Sequence, residues 1–118
     1  MSIDWKRALM TLKVKPWEKL SRKEINDIFS LRSEVFIVEQ ECAYQDVDGK
    51  DEKADHVLLH VNNELVGYAR VFSKNTYFKE ASFGRAVVKK KDRGEGYGHL
   101  IVDKSLEHLK LKKQSPIK

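Results

Sequence analysis

The feature that most constrains this chain is KDRGEGYGHL, residues 91 to 100, where glycines stand at 94, 96 and 98 behind Arg93. Before it comes the apolar run Ala86-Val87-Val88, which reads as the end of a strand. After it comes HLIVDKSLEHLKL, in which Val102, Leu106 and Leu109 recur at helical spacing. The unit is therefore strand, bare loop, helix. Such a loop presents backbone N–H groups at the positive end of a helix dipole, where phosphate is the natural ligand and side chains would obstruct it. Two familiar phosphate loops fail on spacing: position 99 is His, which breaks G-x-G-x-x-G, and no Gly-Lys-Ser/Thr follows. A Rossmann oxidoreductase and a nucleoside triphosphatase are thereby disfavoured.

Upstream, residues 21 to 24 read SRKE, a capping box, so a helix is expected from about 22 to 38 with Ile25, Ile28, Phe29 and Phe36 on its buried face. Residues 39 to 56, EQECAYQDVDGKDEKADH, are acidic and without periodicity, as in a long loop. HVLLHV and ELVGYARVF, separated by Asn62-Asn63, predict a hairpin, because asparagine tolerates the left-handed backbone of a tight turn. A third strand is expected over 78 to 88, giving the order helix, strand, strand, strand, glycine loop, helix. Tyr68, Phe72 and Phe83 should fill the core, and Trp5 and Trp17 should cover one end of it.

With 118 residues the chain supports one domain and one site. Apolar residues at 41% and charged residues at 35% exclude a low-hydrophobicity disordered chain, and no run approaches the roughly 20 apolar residues that cross a bilayer. The net charge of +5 is spread along the chain, and its densest clusters, KKKDR and KLKKQSPIK, are short, so the nucleic-acid signal is weak. Cys42 is the only cysteine and the N-terminus lacks the apolar centre of a secretion signal, which makes a cytoplasmic location the expectation.

Arg93-Gly94-Glu95-Gly96-Tyr97-Gly98 fits R-x-x-G-x-G and resembles the pyrophosphate loop of the GNAT superfamily of N-acetyltransferases. A second block is similar to the ElaA-type subgroup, with its R-x-x-V-F-x-V-E-Q-x-x-x-Y-x-D-x-D-x-x-D signature at Arg32, Val35, Phe36, Val38, Glu39, Gln40, Tyr44, Asp46, Asp48 and Asp51. The resemblance implies an α/β (α+β) fold with a mixed, mainly antiparallel sheet flanked by helices. It also implies acetyl-CoA as cosubstrate and a primary amine as acceptor. Ala86, Val87 and Val88 would offer backbone to the pantetheine arm, and the N–H groups of Arg93, Gly94, Glu95, Gly96, Tyr97 and Gly98 would hold the pyrophosphate. An amide near Val87 would polarise the thioester carbonyl.

A lysine-like amine, with pKa about 10.4, is deprotonated at pH 7 at a cost of roughly 4 to 5 kcal/mol, so a general base is useful. Residues 81 to 88 contain no carboxylate, which leaves Glu39, Asp46 and Asp48 in the acidic loop as catalytic candidates or as anchors for a cationic acceptor. The competing reading is a solvated loop fixed by turn-forming aspartates. Arg85 could pair with one of these carboxylates or bind an acidic acceptor. His56 and His60 have no third metal ligand in sight, Asp46-x-Asp48-Gly49 fails the EF-hand spacing, and Cys42 has no histidine partner as a nucleophile. No metal is expected.

GNAT domains of this subgroup continue through a fifth strand, a helix bearing a tyrosine acid and two closing strands, whereas this sequence stops at Lys118, where that fifth strand would begin. The resemblance thus implies a domain truncated after the loop helix, with one wall of its cleft and an exposed sheet edge, open to a dimer mate or a second chain. A truncated product, a fragment and a domain completed by another polypeptide all fit, and catalysis by this part alone is expected to be weak or absent. The alternatives to an acetyltransferase are a non-catalytic basic module for RNA or an acidic partner, and an inactive remnant.

Overall fold

The computed structural model describes residues 9–76 and 79–111. Its four strands, β1 (Met10–Pro16), β2 (Asp55–Val61), β3 (Glu64–Phe72) and β4 (Ser82–Val88), lie side by side in the order β1-β2-β3-β4, all antiparallel. The helix α1 (Arg22–Arg32) covers one face and α2 (Tyr97–Leu111) the other.

Side-chain alternation sorts the core into two layers. Leu58, Leu65, Tyr68 and Val87 meet Ile28, Leu31 and Val35 on the α1 side. Val57, Leu59, Val66, Ala69 and Val71 meet Ile101 and Leu109 on the α2 side. Because both faces are covered, β3 is buried almost end to end. Gly67 has a packing reason of its own: a Cβ there would collide with the Ile101 side chain of α2.

The capping box forms as expected, with Glu24 N–H donating to Ser21 Oγ (3.0 Å) and Ser21 N–H to Glu24 Oε1 (2.8 Å). Glu24 also accepts from Lys15 of β1 at 2.9 Å, with Lys13 at 3.2 Å. Burial opposes its charge, but the Ser21 N–H and Lys15 outweigh burial and hold the carboxyl down to about 2. The hairpin turn is also as expected: Asn62 and Asn63 have φ of 54° and 67°.

Three expectations need correction. The first described element is a strand, not a helix: Met10, Leu12 and Val14 pack on the α2-side core while Lys13 and Lys15 reach Glu24. That alternation is in the sequence, but its charged half is neutralised only by a residue of α1. The helix expected to reach 38 gives way at Ser33 to a π-helical segment, Ser33–Glu39. The strand expected over 78 to 88 is β4, starting at Ser82 after a bend at 79 and 80, with position 78 outside the described residues, and it carries an extra residue opposite Ala69, with Arg85 at φ 51°. Trp17 packs on the α1-side core, whereas Trp5 lies outside the described residues. Among the described residues no helix is long and apolar enough to cross a membrane.

Candidate functional site

Beyond Val88 the chain makes a short 3-10 turn, Lys90–Asp92, and enters the glycine loop. Gly94 and Gly96 take φ of 91° and 83°, the left-handed region that glycine occupies without strain, and a Cβ at either would meet nothing within 4 Å. Backbone conformation, together with the open space in front of it, accounts for these glycines. Leu100 N–H is the first to bond back into the helix, to Gly96 O at 3.4 Å. Among the described residues the N–H groups of 94 to 99 have no backbone acceptor, as a helix N-terminus without a cap requires.

These donors face a cavity of about 810 Å³ lined by Ala86, Val87, Val88, Arg93, Gly94, Gly96, Tyr97, Gly98, His99, Ile101 and Val102. Its size suits a small-molecule ligand. Its other wall is β4, which pairs with β3 along one edge and with no strand along the other among the described residues. Lys89 N–H bonds to Val66 O on β3 at 2.7 Å, so alternation turns the backbone of Val88 to the outer edge, where its carbonyl accepts from Arg93 Nε at 3.0 Å. The site thus offers an apolar strand edge running into a cluster of unpaired amides.

Of the residues expected around a cofactor, only Glu95 is absent from the cavity wall. His99, Ile101 and Val102 line it in addition. Helical spacing from Gly98 would have found Ile101 and Val102, but no local signal marked His99.

The acidic candidates stand elsewhere, and each is held by arginine. Arg32, fully buried, donates from Nε to Asp46 Oδ2 (2.9 Å) and from its Nη1 to Asp51 Oδ1 (2.6 Å). Arg70 forms a two-pronged pair with Asp48 at 2.9 and 2.7 Å and also reaches Asp51 Oδ1. Arg85 donates to Asp46 Oδ1 at 2.9 Å and stacks on Tyr44, whose hydroxyl donates to Asp46. Arginines from α1, β3 and β4 therefore gather the aspartates of one loop. The Arg70 hydrogen bonds drive the Asp48 carboxyl well below the usual carboxylate range.

Glu39 lies apart from that cluster, paired with Arg93 through two bonds of 2.6 and 2.7 Å that lower its pKa. His56, 1% exposed, directs Nε2 at the Asp51 carbonyl (2.9 Å), so Nε2 carries the proton and Nδ1 accepts from Tyr68 O–H at 2.6 Å. Burial pushes the His56 pKa down.

The sequence and the fold both have relatives among known proteins. Residues 18–118 match the family model described as the acetyltransferase (GNAT) domain. The chain is 40% identical over 91 residues to Protein ElaA of Escherichia coli, covering 75% of this chain and 60% of that protein. It is 41% identical over 90 residues to a UPF0039 protein of Synechocystis, covering 73% and 58%. It thus spans about three fifths of the length of these relatives. The crystal structure of E. coli ElaA superposes with a TM-score of 0.79 at 35% identity, covering 84% of this chain and 68% of that one. An acyl-CoA N-acyltransferase from Pseudomonas aeruginosa gives 0.80 at 31% identity, covering 85% and 70%. On the sequence match and the shared architecture, the chain belongs to the GNAT acetyltransferase family.

Proposed function

We propose that this chain supplies the acetyl-CoA-binding part of an N-acetyltransferase, which moves an acetyl group from the coenzyme A thioester to a primary amine. The observation that carries the reading is the meeting of unpaired amides at the start of α2 with the unpaired edge of β4 in one cavity. A ligand with a diphosphate at one end and an extended amide-bearing arm fits both halves. The room in front of Gly94 and Gly96 supports the fit, since a side chain there would occupy the place of the phosphates.

In this reading the amides of Gly94 to His99 bind the diphosphate, and the outward edge of β4 at Val88, whose carbonyl is held by Arg93, offers its N–H to the arm. Acetyl-CoA supplies an acyl group already activated as a thioester. An N–H at the β4 edge aimed at the carbonyl oxygen would stabilise developing negative charge, a contribution of about 3 to 4 kcal/mol for one well-placed donor. Val87, Val88, Ile101 and Val102 keep the wall apolar, which strengthens such a bond by excluding water. The acceptor amine must lose a proton, and no carboxylate lines the cavity among the described residues. Asp46 and Asp48, bound to arginines, serve the fold better than they would serve as bases.

Titration calorimetry with acetyl-CoA tests the reading. The native chain should bind and Gly96→Asp should not, while equal behaviour of the two proteins sinks the loop assignment. Binding that responds to RNA and salt but not to coenzyme A would instead favour a basic binding module.

A further inference from the structure

We propose that Glu39 is a positioning residue for the glycine loop, holding it through Arg93 in the geometry that receives a diphosphate. The proposal rests on the reading of that loop given above. Glu39 ends the π-helical segment, and both of its carboxylate oxygens accept from the terminal nitrogens of Arg93, at 2.6 and 2.7 Å. The third nitrogen of the same guanidinium, Nε, donates to the Val88 carbonyl at 3.0 Å. One side chain therefore ties three pieces of backbone together: the end of β4, the end of the π-helical segment and the first residue of the loop.

That connection matters because little else restrains the loop. Gly94 and Gly96 have no side chains and open space around them, and glycine has the largest backbone freedom to lose. A loop left mobile must be ordered when its ligand binds, and that cost is subtracted from affinity. The Glu39–Arg93 pair is planar and two-pronged, the arrangement that fixes orientation as well as distance. Its partial exposure, with side chains 28% and 42% accessible, means that it adds little to global stability. A carboxylate with both oxygens engaged by a permanent cation is also poorly placed to take a proton from an amine. π-Helical turns are often found at functional sites, and here one delivers Glu39 to the loop.

Nitrogen-15 relaxation and calorimetry with acetyl-CoA together test this on Glu39→Ala, Arg93→Ala, the double variant and Glu39→Gln, with Glu107→Ala as a control on the far side of α2. Glu39→Ala and Arg93→Ala should each lower the order parameters of the Gly94, Gly96 and Gly98 amides from about 0.85 towards 0.6 or below, with the melting temperature nearly unchanged. Each should weaken acetyl-CoA by roughly threefold to tenfold, the double variant no more than the worse single one, and Glu39→Gln, which keeps one of the two acceptor oxygens, should lose less than Glu39→Ala. Unchanged loop order in Glu39→Ala, or additive losses in the double variant, would overturn the proposal. A native chain that ignores acetyl-CoA while its loop loosens as expected would overturn the ligand assignment alone.

Discussion

The glycine loop and the aspartate loop are both polar connections without regular structure, yet they treat their polar groups in opposite ways. In the aspartate loop, Asp46, Asp48 and Asp51 are gripped by Arg32, Arg70 and Arg85, and one oxygen, Asp51 Oδ2, is buried with no partner among the described residues. In the glycine loop a run of N–H groups has no backbone acceptor among the described residues and faces open space. Buried polar groups are normally satisfied, so a cluster in which all but one carboxylate oxygen is paired marks architecture and exposed, convergent, unsatisfied donors mark a place for a ligand. Charge density alone would have ranked the two loops the other way round.

The largest test of that contrast is Arg32→Ala, which leaves Asp46 and Asp51 buried without their main counter-charge. Breaking a buried pair from one side costs about 3 to 5 kcal/mol, so urea denaturation should show a severely destabilised or unfolded chain. A loss below about 1 kcal/mol would mean that water reaches the cluster and that its closure is overstated.

Gly96→Asp should do the opposite. Its non-glycine residue at φ 83° costs stability by about 1 kcal/mol, partly offset by a carboxylate at a helix N-terminus. Calorimetry should nonetheless show acetyl-CoA affinity reduced by about 100-fold or more, the equivalent of about 2.7 kcal/mol. One loop then carries stability and the other binding.

An intermediate effect is expected at Glu24, a third carboxylate saturated by its neighbours. Its pKa is lowered from 4.5 to about 2, so its stabilisation is complete above pH 4.5 and is lost as pH falls towards 2. At 1.36 kcal/mol per pK unit a shift of that size is about 3.4 kcal/mol at most, of which solvent screening leaves about 2 to 3 kcal/mol. Melting temperature against pH should lose part of its acid slope in Glu24→Gln. The smallest change should come from Gly67→Ala, where overpacking against Ile101 costs about 1 to 2 kcal/mol by thermal unfolding, because the clash is with the end of a side chain.

The hairpin, the capping box and the strand–loop–helix unit were legible in the sequence because each is a local device. Asn62-Asn63, Ser21 with Glu24, and three spaced glycines act within a few residues of chain. The same locality made Ala86, Val87, Val88 and most of residues 93 to 98 readable as neighbours of one cavity, since strand and loop are contiguous. β1 was missed because lysines at 13 and 15 look solvated until Glu24 is brought over them. The break at Ser33 escaped notice because the pattern of apolar residues continues unchanged into the π-helical turns.

Local order along the chain dictates where backbone must turn, where a helix must start and which loop lacks side chains. What the charges do is settled by folding. Asp46 lies 39 residues from Arg85, Asp48 lies 22 from Arg70, and Glu39 lies 54 from Arg93. Whether a carboxylate is free to act as a base or is held as a strut depends on which cation lies within about 3 Å of it, and separations of that length along the chain are closed only by folding.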